Sequence, residues 1–162
     1  MEFEEYVATR GRALERYAYV LAGDAHLAQD LTQTALVKAY RRWSWVVRAD
    51  QPDQYVRRIL TTSFIDHTRK RSSAERPVAE APEGVSDRDP ATVAVVRDSL
   101  RRALTTLTPQ QRAVLVLRHF EGYDDPAIAE VLHCSESTVR SHASRGLDRL
   151  RDHLSGEEGD LP

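Results

Sequence analysis

Among its 162 residues the chain has one cysteine, Cys134, so no disulfide can form within it. That excludes a fold held by covalent staples and suits a reducing, cytoplasmic location. No apolar run approaches the ~18 residues that a membrane-spanning helix requires, so no membrane role is expected. The opening stretch, MEFEEYVATRGR, is acidic and has none of the apolar core of a signal peptide. Glycine and proline number seven each, too few for a loop-dominated or collagen-like chain. No segment alternates apolar and polar residues as a strand does. There is no glycine-rich phosphate loop, no paired Cys/His spacing, and no nucleophile–base order that would suggest catalysis. His26, His67, His119, His133, His142 and His153 are scattered. Cys134 with His133 and His142 lacks a fourth metal ligand and a second cysteine. The expectation is therefore a protein that is not an enzyme, with no catalytic residues, no metal and no cofactor.

What remains is charge and helical periodicity. The net charge is −2, which by itself speaks mildly against a nucleic-acid ligand. The distribution is uneven, however. Residues 1–71 carry 12 Lys/Arg against 9 Asp/Glu, residues 72–92 carry 2 against 5, and residues 136–151 carry 4 against 2. Acid thus concentrates in the middle and base near particular helices.

Apolar residues recur at three- and four-residue spacings over residues 2–22, 25–43 and 54–71, which predicts three amphipathic helices. Gly23 ends the first, and Asp24 can cap the second. Residues 44–53 hold Trp45 and two valines and then a loop, Asp50-Gln51-Pro52-Asp53. The third helix ends in the basic run Arg69-Lys70-Arg71. Residues 72–92, with Pro77, Pro82, Gly84 and Pro90, break every period and read as a flexible acidic linker reaching up to roughly 70 Å. A fourth helix is expected over 91–107. Thr108-Pro109-Gln110-Gln111 is a helix start, with Thr108 as N-cap, Pro109 first and Gln111 closing a capping box. Gly122 stops that helix, and Asp125-Pro126 starts the next by the same logic. After His133-Cys134, Ser135 caps a last long helix through Val139, Leu147 and Leu150. No further domain is expected after Leu154, and 155–162 reads as a disordered acidic tail. The fold class expected is all-α: two small helical domains, 1–71 and 93–154, joined by the linker.

Residues 122–151, GYDDPAIAEVLHCSESTVRSHASRGLDRLR, form a short helix, a tight turn and a second helix with exposed Arg and Ser. That is a helix-turn-helix pattern. Ile128, Ala129 and Leu132 face inward on the first helix and Val139 faces back from the second. Ser135, Glu136, Ser137, Arg140 and Ser141 lie near the N-terminal end of the second, where side chains reach base edges. Arg140, His142, Ser144 and Arg145 can supply base or phosphate contacts. The bland alternative is a helical hairpin with a solvated basic face.

The stretch from Leu107 to Arg151 resembles region 4 of extracytoplasmic-function sigma factors, from the Leu-Thr-Pro helix start to the Gly-Leu-x-x-Leu-Arg close. Two departures stand out: His133 occupies a turn position where the family usually has Gly, and Asp124-Asp125-Pro126 varies the commoner start. The N-terminal half resembles region 2 of the same family. In "DAHLAQDLTQTALVKAYRRW" the resemblance implies that Asp30, Leu31, Gln33, Thr34 and Leu36 touch the polymerase beta-prime clamp helices, unless the leucines are simply core. "ADQPDQYVRRILTTSFIDHTRKR" resembles the promoter-melting loop and minus-ten helix of the actinobacterial sigma-E-like group. Asp50, Gln51 and Pro52 would hold a flipped base. Arg57, Arg58, Ser63, Asp66, His67, Arg69, Lys70 and Arg71 would face the strand or its phosphates, with Trp45, and Trp43 beside it, as an aromatic wall. The resemblance thus implies core RNA polymerase (beta-prime clamp helices and beta flap) and promoter DNA as partners, and leaves room for an anti-sigma factor. Two other functions fit parts of the pattern. One is a stand-alone helix-turn-helix regulator. The other is a sigma-like decoy that binds an anti-sigma factor without supporting transcription.

Overall fold

The computed structural model describes residues 1–73 and 91–159, with side chains given for 1–71 and 98–156. Every regular element among the described residues is an α-helix. The chain divides into two compact units, Met1–Pro82 and Glu83–Pro162. Most of the linker expected at 72–92 lies outside the described residues; its ends do not, since one helix runs on to Ser73 and the next begins at Ala91.

In the first unit, α1 (Phe3–Ala22), α2 (Ala25–Arg41) and α4 (Pro52–Ser73) pack on one another, with the short α3 (Trp43–Val46) between α2 and α4. α1 ends at Gly23, whose φ of 69° is the left-handed C-cap geometry that glycine adopts without strain. Asp24 then accepts the His26 amide and caps α2. The core is built from Leu14, Tyr17, Ala18 and Leu21 of α1, Ala28, Leu31, Ala35 and Ala39 of α2, Val46, and Val56, Leu60, Phe64 and Ile65 of α4, all buried. Alanines on α2 let α1 and α4 approach it from both sides. The segment 44–53 is not all loop, because α3 takes up its first residues. Val46 is fully buried and anchors that turn.

In the second unit, α5 (Ala91–Thr105), α6 (Pro109–His119), α7 (Asp125–Leu132) and α8 (Glu136–Gly159) enclose Leu104, Leu107, Ala113 to Leu117, Ile128, Val131, Leu132, Val139 and Ala143. The Thr108 start is as expected: Thr108 Oγ1 accepts the Gln111 amide at 3.2 Å and Gln111 Oε1 accepts the Thr108 amide at 3.1 Å. The next start is shifted by one residue. Asp124, not Asp125, is the N-cap, accepting the Ala127 amide at 3.0 Å, and proline fits the second helical position as well as the first. Asp125 is left to pair with Arg118. Ala129 is only partly buried, and Val131 joins the core. α8 extends to Gly159, into the tail expected to be disordered. No proline interrupts 155–159, and extending an existing helix needs no new nucleus.

Two arginines tie the α5–α6 corner. Arg112 is buried and its Nε donates to the Leu104 carbonyl at 3.0 Å; burial pushes its pKa down. Arg149 of α8 donates to the Thr106 carbonyl at 3.1 Å. Both satisfy carbonyls at the end of a helix, where no intrahelical donor is left.

Candidate functional site

In the second unit, α7, the turn and α8 form the helix-turn-helix. The chain reverses at His133, with φ 53° and ψ 50°, a left-handed conformation at the turn position marked in the sequence. A non-glycine side chain there costs on the order of 1 kcal/mol. The Cys134 amide closes the turn on the Ala129 carbonyl at 3.1 Å. Ser135 Oγ then accepts the Thr138 amide at 3.1 Å and starts α8. Its hydroxyl therefore serves the cap first. Val139, fully buried, and Ala143 face the core. That fixes the rotation of α8 and turns Glu136, Ser137, Arg140, Ser141, Ser144 and Arg145 outward, all exposed. His142 is half-buried. Burial, with the Arg145 charge beside it, holds its pKa below the ordinary histidine range. Arg118, Asp125, Arg140, Ser144, Asp148 and Arg151 surround an open groove of about 420 Å³ floored by Ala143 and Leu147. The exposed surface at the start of α8 thus combines hydroxyls and guanidiniums, groups able to donate to base edges and phosphates.

In the first unit, two surfaces stand out. On α2, Asp30, Gln33, Thr34, Val37, Lys38 and Arg41 line a shallow groove of about 470 Å³. Asp30, Gln33 and Thr34 are exposed. Leu31 is not: it is 4% exposed and belongs to the core, and Leu36 is half-buried. The apolar member of the surface is Val37, 52% exposed, with Tyr40 beyond it at 61%. Sequence reasoning missed both, because the contact residues were those implied by the resemblance and exposure on α2 is set by packing against other helices.

The second surface begins at the loop after α3. Asp50 and Gln51 are exposed, and so are Arg58, Asp66, Arg69, Lys70 and Arg71 along α4. Tyr55 lies three residues before Arg58 on the same face and is also exposed, an aromatic that the sequence reading passed over. Trp45 is 80% exposed on α3, whereas Trp43 packs against Phe3 and Tyr6 with ring centroids at 5.4 and 5.2 Å. Two expected strand contacts face elsewhere. Ser63 is buried and its Oγ accepts from Lys38 Nζ at 3.3 Å, joining α2 to α4. Arg57 is half-buried, with its Nε 3.0 Å from Asp53 and its guanidinium 5.6 Å from the centre of the Tyr17 ring. His67 is half-buried as well.

Two helical units, the second a helix-turn-helix that projects arginines and serines, are the arrangement of a DNA-binding protein, and the comparisons with known proteins narrow that class. The chain matches the family described as Sigma-70 region 2 over residues 6–74 and that described as Sigma-70, region 4 over residues 97–150. RNA polymerase sigma-E factors of Streptomyces avermitilis and Streptomyces coelicolor are each 39% identical to it over 160 residues. The alignments span 99% of this chain and 89% and 90% of those proteins. The ECF RNA polymerase sigma factor SigE of Mycolicibacterium smegmatis is 33% identical over 94% of this chain and 62% of its own. Among solved structures, the sigma factor RpoE in complex with the anti-sigma factor NepR from Bartonella quintana shares the fold. Its TM-score is 0.69 at 23% identity over 94% of this chain and 96% of that one. The chain belongs to the extracytoplasmic-function sigma factors.

Proposed function

We propose that this sigma factor binds core RNA polymerase through the α2 groove, reads an upstream promoter element with the start of α8, and holds the melted strand against α4. The observation that supports the reading is an exposed arginine- and serine-bearing helix start in one unit together with an exposed loop, aromatic and basic stripe in the other. A stand-alone repressor has no use for the second surface. Asp30, Gln33 and Thr34 orient the docking of polymerase and Val37 supplies buried area, the mix of apolar centre and polar rim found at protein interfaces. Glu136, Ser137, Arg140, Ser141 and Ser144 face base edges, and Arg145 the backbone. Asp50 and Gln51 take the displaced base, Trp45 and Tyr55 offer stacking faces, and Arg58, Arg69, Lys70 and Arg71 follow the phosphates. The protein works where polymerase and DNA are, in the cytoplasm. No described helix is long and apolar enough to cross a membrane.

The test is transcription in vitro with purified core polymerase on a pool of genomic fragments. Promoter-specific transcripts that depend on this protein support the reading. Retarded duplex DNA without polymerase, and no transcripts with it, would instead indicate a stand-alone regulator. Neither transcripts nor DNA binding would point to a decoy for an anti-sigma factor.

A further inference from the structure

The carboxylate of Asp53 is the most heavily engaged acidic group described in the first unit. It sits at the second position of α4, two residues after Gln51. Tyr6 Oη donates to Oδ1 at 3.0 Å, Arg10 Nε to Oδ1 at 3.1 Å and Arg10 Nη2 to Oδ2 at 2.8 Å. Arg57 Nε lies 3.0 Å from Oδ2. Tyr6 and Arg10 donate these hydrogen bonds from α1, and Arg57 adds an ion pair from the next turn of α4. The Arg10 fork is bidentate, the geometry that fixes a carboxylate in orientation as well as place. Burial alone would raise the Asp53 pKa, but the Arg10 hydrogen bonds and the Arg57 charge outweigh it and hold the group ionised. Tyr6 is itself buried, so the anchor on α1 is part of the core. On the other side of the loop, Val46 is buried, and turn bonds run from Arg48 and Ala49 back to Trp45 and Val46. The exposed residues Asp50 and Gln51 are therefore suspended between two fixed points, the Val46 plug and the Asp53 clamp.

We propose that Asp53 is a positioning residue for the strand-holding loop, that Tyr6 and Arg10 of α1 act through it, and that Arg57 serves this clamp and does not contact DNA. The inference rests on the assignment of the loop and α4 to the melted strand. Arg57 Nε is turned toward Asp53 and its guanidinium lies by the Tyr17 ring, whereas Arg58, one position on, is exposed. A chain held this close to its anchor has little freedom: each residue spans at most about 3.6 Å, so releasing Asp53 frees the loop at one end.

The experiment uses the full chain with core polymerase. Permanganate reactivity measures promoter opening, and binding to a forked promoter is titrated against salt. Asp53→Asn, Arg10→Ala and Arg57→Ala should each lower opening by about tenfold, the scale of one charge-assisted bond, while core capture and the salt slope stay at wild-type values. Arg10→Lys should recover part of the loss. In the Asp53→Asn background, Arg10→Ala should add little, as expected of groups acting through one carboxylate. Arg58→Ala should instead flatten the salt slope by about one unit. If Asp53→Asn does not fold, Tyr6→Phe, which removes one donor and keeps the buried ring, carries the same comparison at a smaller loss. A flattened slope for Arg57→Ala makes it a phosphate contact and overturns the clamp assignment. Normal opening by Asp53→Asn, with a defective Asp50→Ala/Gln51→Ala loop, overturns positioning alone. Normal opening by that loop variant overturns the strand-holding reading and the clamp with it.

Discussion

At Gly146 α8 packs closely against α6. A Cβ built there would stand 3.0 Å from Leu115 Cδ1 and 3.4 Å from Gln111 Cβ. Replacing it with alanine has two opposed effects. Alanine is better than glycine in a helix interior by about 1 kcal/mol. Against that, the added methyl must displace Leu115, which is 5% exposed and flanked by Val114, Val116 and Leu117, all buried. Gln111 is held by its bonds with Thr108 and cannot yield easily. Overpacking of this kind costs about 1–3 kcal/mol. Gly146→Ala is therefore expected to destabilise the second unit by about 1 kcal/mol net, with strain of about 2 offsetting propensity of about 1. Both tryptophans, Trp43 and Trp45, lie in the first unit. In urea titrations, tryptophan fluorescence then follows the first unit as an internal control, and far-UV circular dichroism reports both. Only the dichroism transition should move. Leu115→Ala alone should cost about 2–5 kcal/mol, and the pair should cost about 1 kcal/mol less than the sum, because the truncated side chain makes room for the methyl. A Gly146→Ala protein more stable than wild type, or strict additivity with Leu115→Ala, would refute the close-approach argument.

Arg140→Ala should lower binding to the preferred upstream element by about 1–3 kcal/mol and altered elements by less. Arg145→Ala should weaken all elements alike and reduce the salt slope by about one; equal losses from both on every promoter would show that the two roles are not divided this way. The depressed pKa of His142 means that the folded form binds fewer protons than the unfolded chain. Its contribution to stability is complete above the unfolded value of ~6.5 and is lost as pH falls below it toward the folded value. Urea midpoints at pH 7.5 and pH 5.5 should therefore differ less in His142→Gln than in wild type, and an unchanged difference would remove His142 as the cause. Asp30→Ala with Gln33→Ala should weaken co-purification with core polymerase while changing stability by less than about 0.5 kcal/mol, and Val37→Asp should weaken it further; normal capture by all of these would place polymerase elsewhere.

Local chemistry was the part legible in the sequence. Thr108, Gln111 and Ser135 act within three or four residues of themselves, so their residue types and spacing suffice to place two helix starts. The left-handed His133 stands at the turn position where the resembled family usually has Gly, so the resemblance and not the local pattern marked it. Asp124 and Asp125 show the limit of that reasoning, since two acids precede one proline and only the structure says which one caps. Longer-range relations were not legible. On α2, helical spacing places Leu31 and Ala35 on one stripe and Val37 off it, but which stripe meets α1 and α4 depends on tertiary packing. The same holds for Ser63, whose hydroxyl meets Lys38 from another helix. Asp53 read as a loop residue because its donors Tyr6 and Arg10 lie 47 and 43 positions earlier. The one local hint was Asp53–Arg57 at i,i+4, a spacing common enough on any exposed helix to carry no weight alone.

The net charge of −2 is the observation least like a DNA-binding protein, and the structure resolves it by separating two uses of arginine. Arg10, Arg57, Arg112 and Arg118 are turned to Asp53, to the Leu104 carbonyl and to Asp125. Arg140 and Arg145 on α8, and Arg58, Arg69, Lys70 and Arg71 on α4, are exposed along two helix faces. Attraction to phosphate falls off within about 10 Å at 0.1 M salt, so the local array governs binding and acid elsewhere in the chain contributes little.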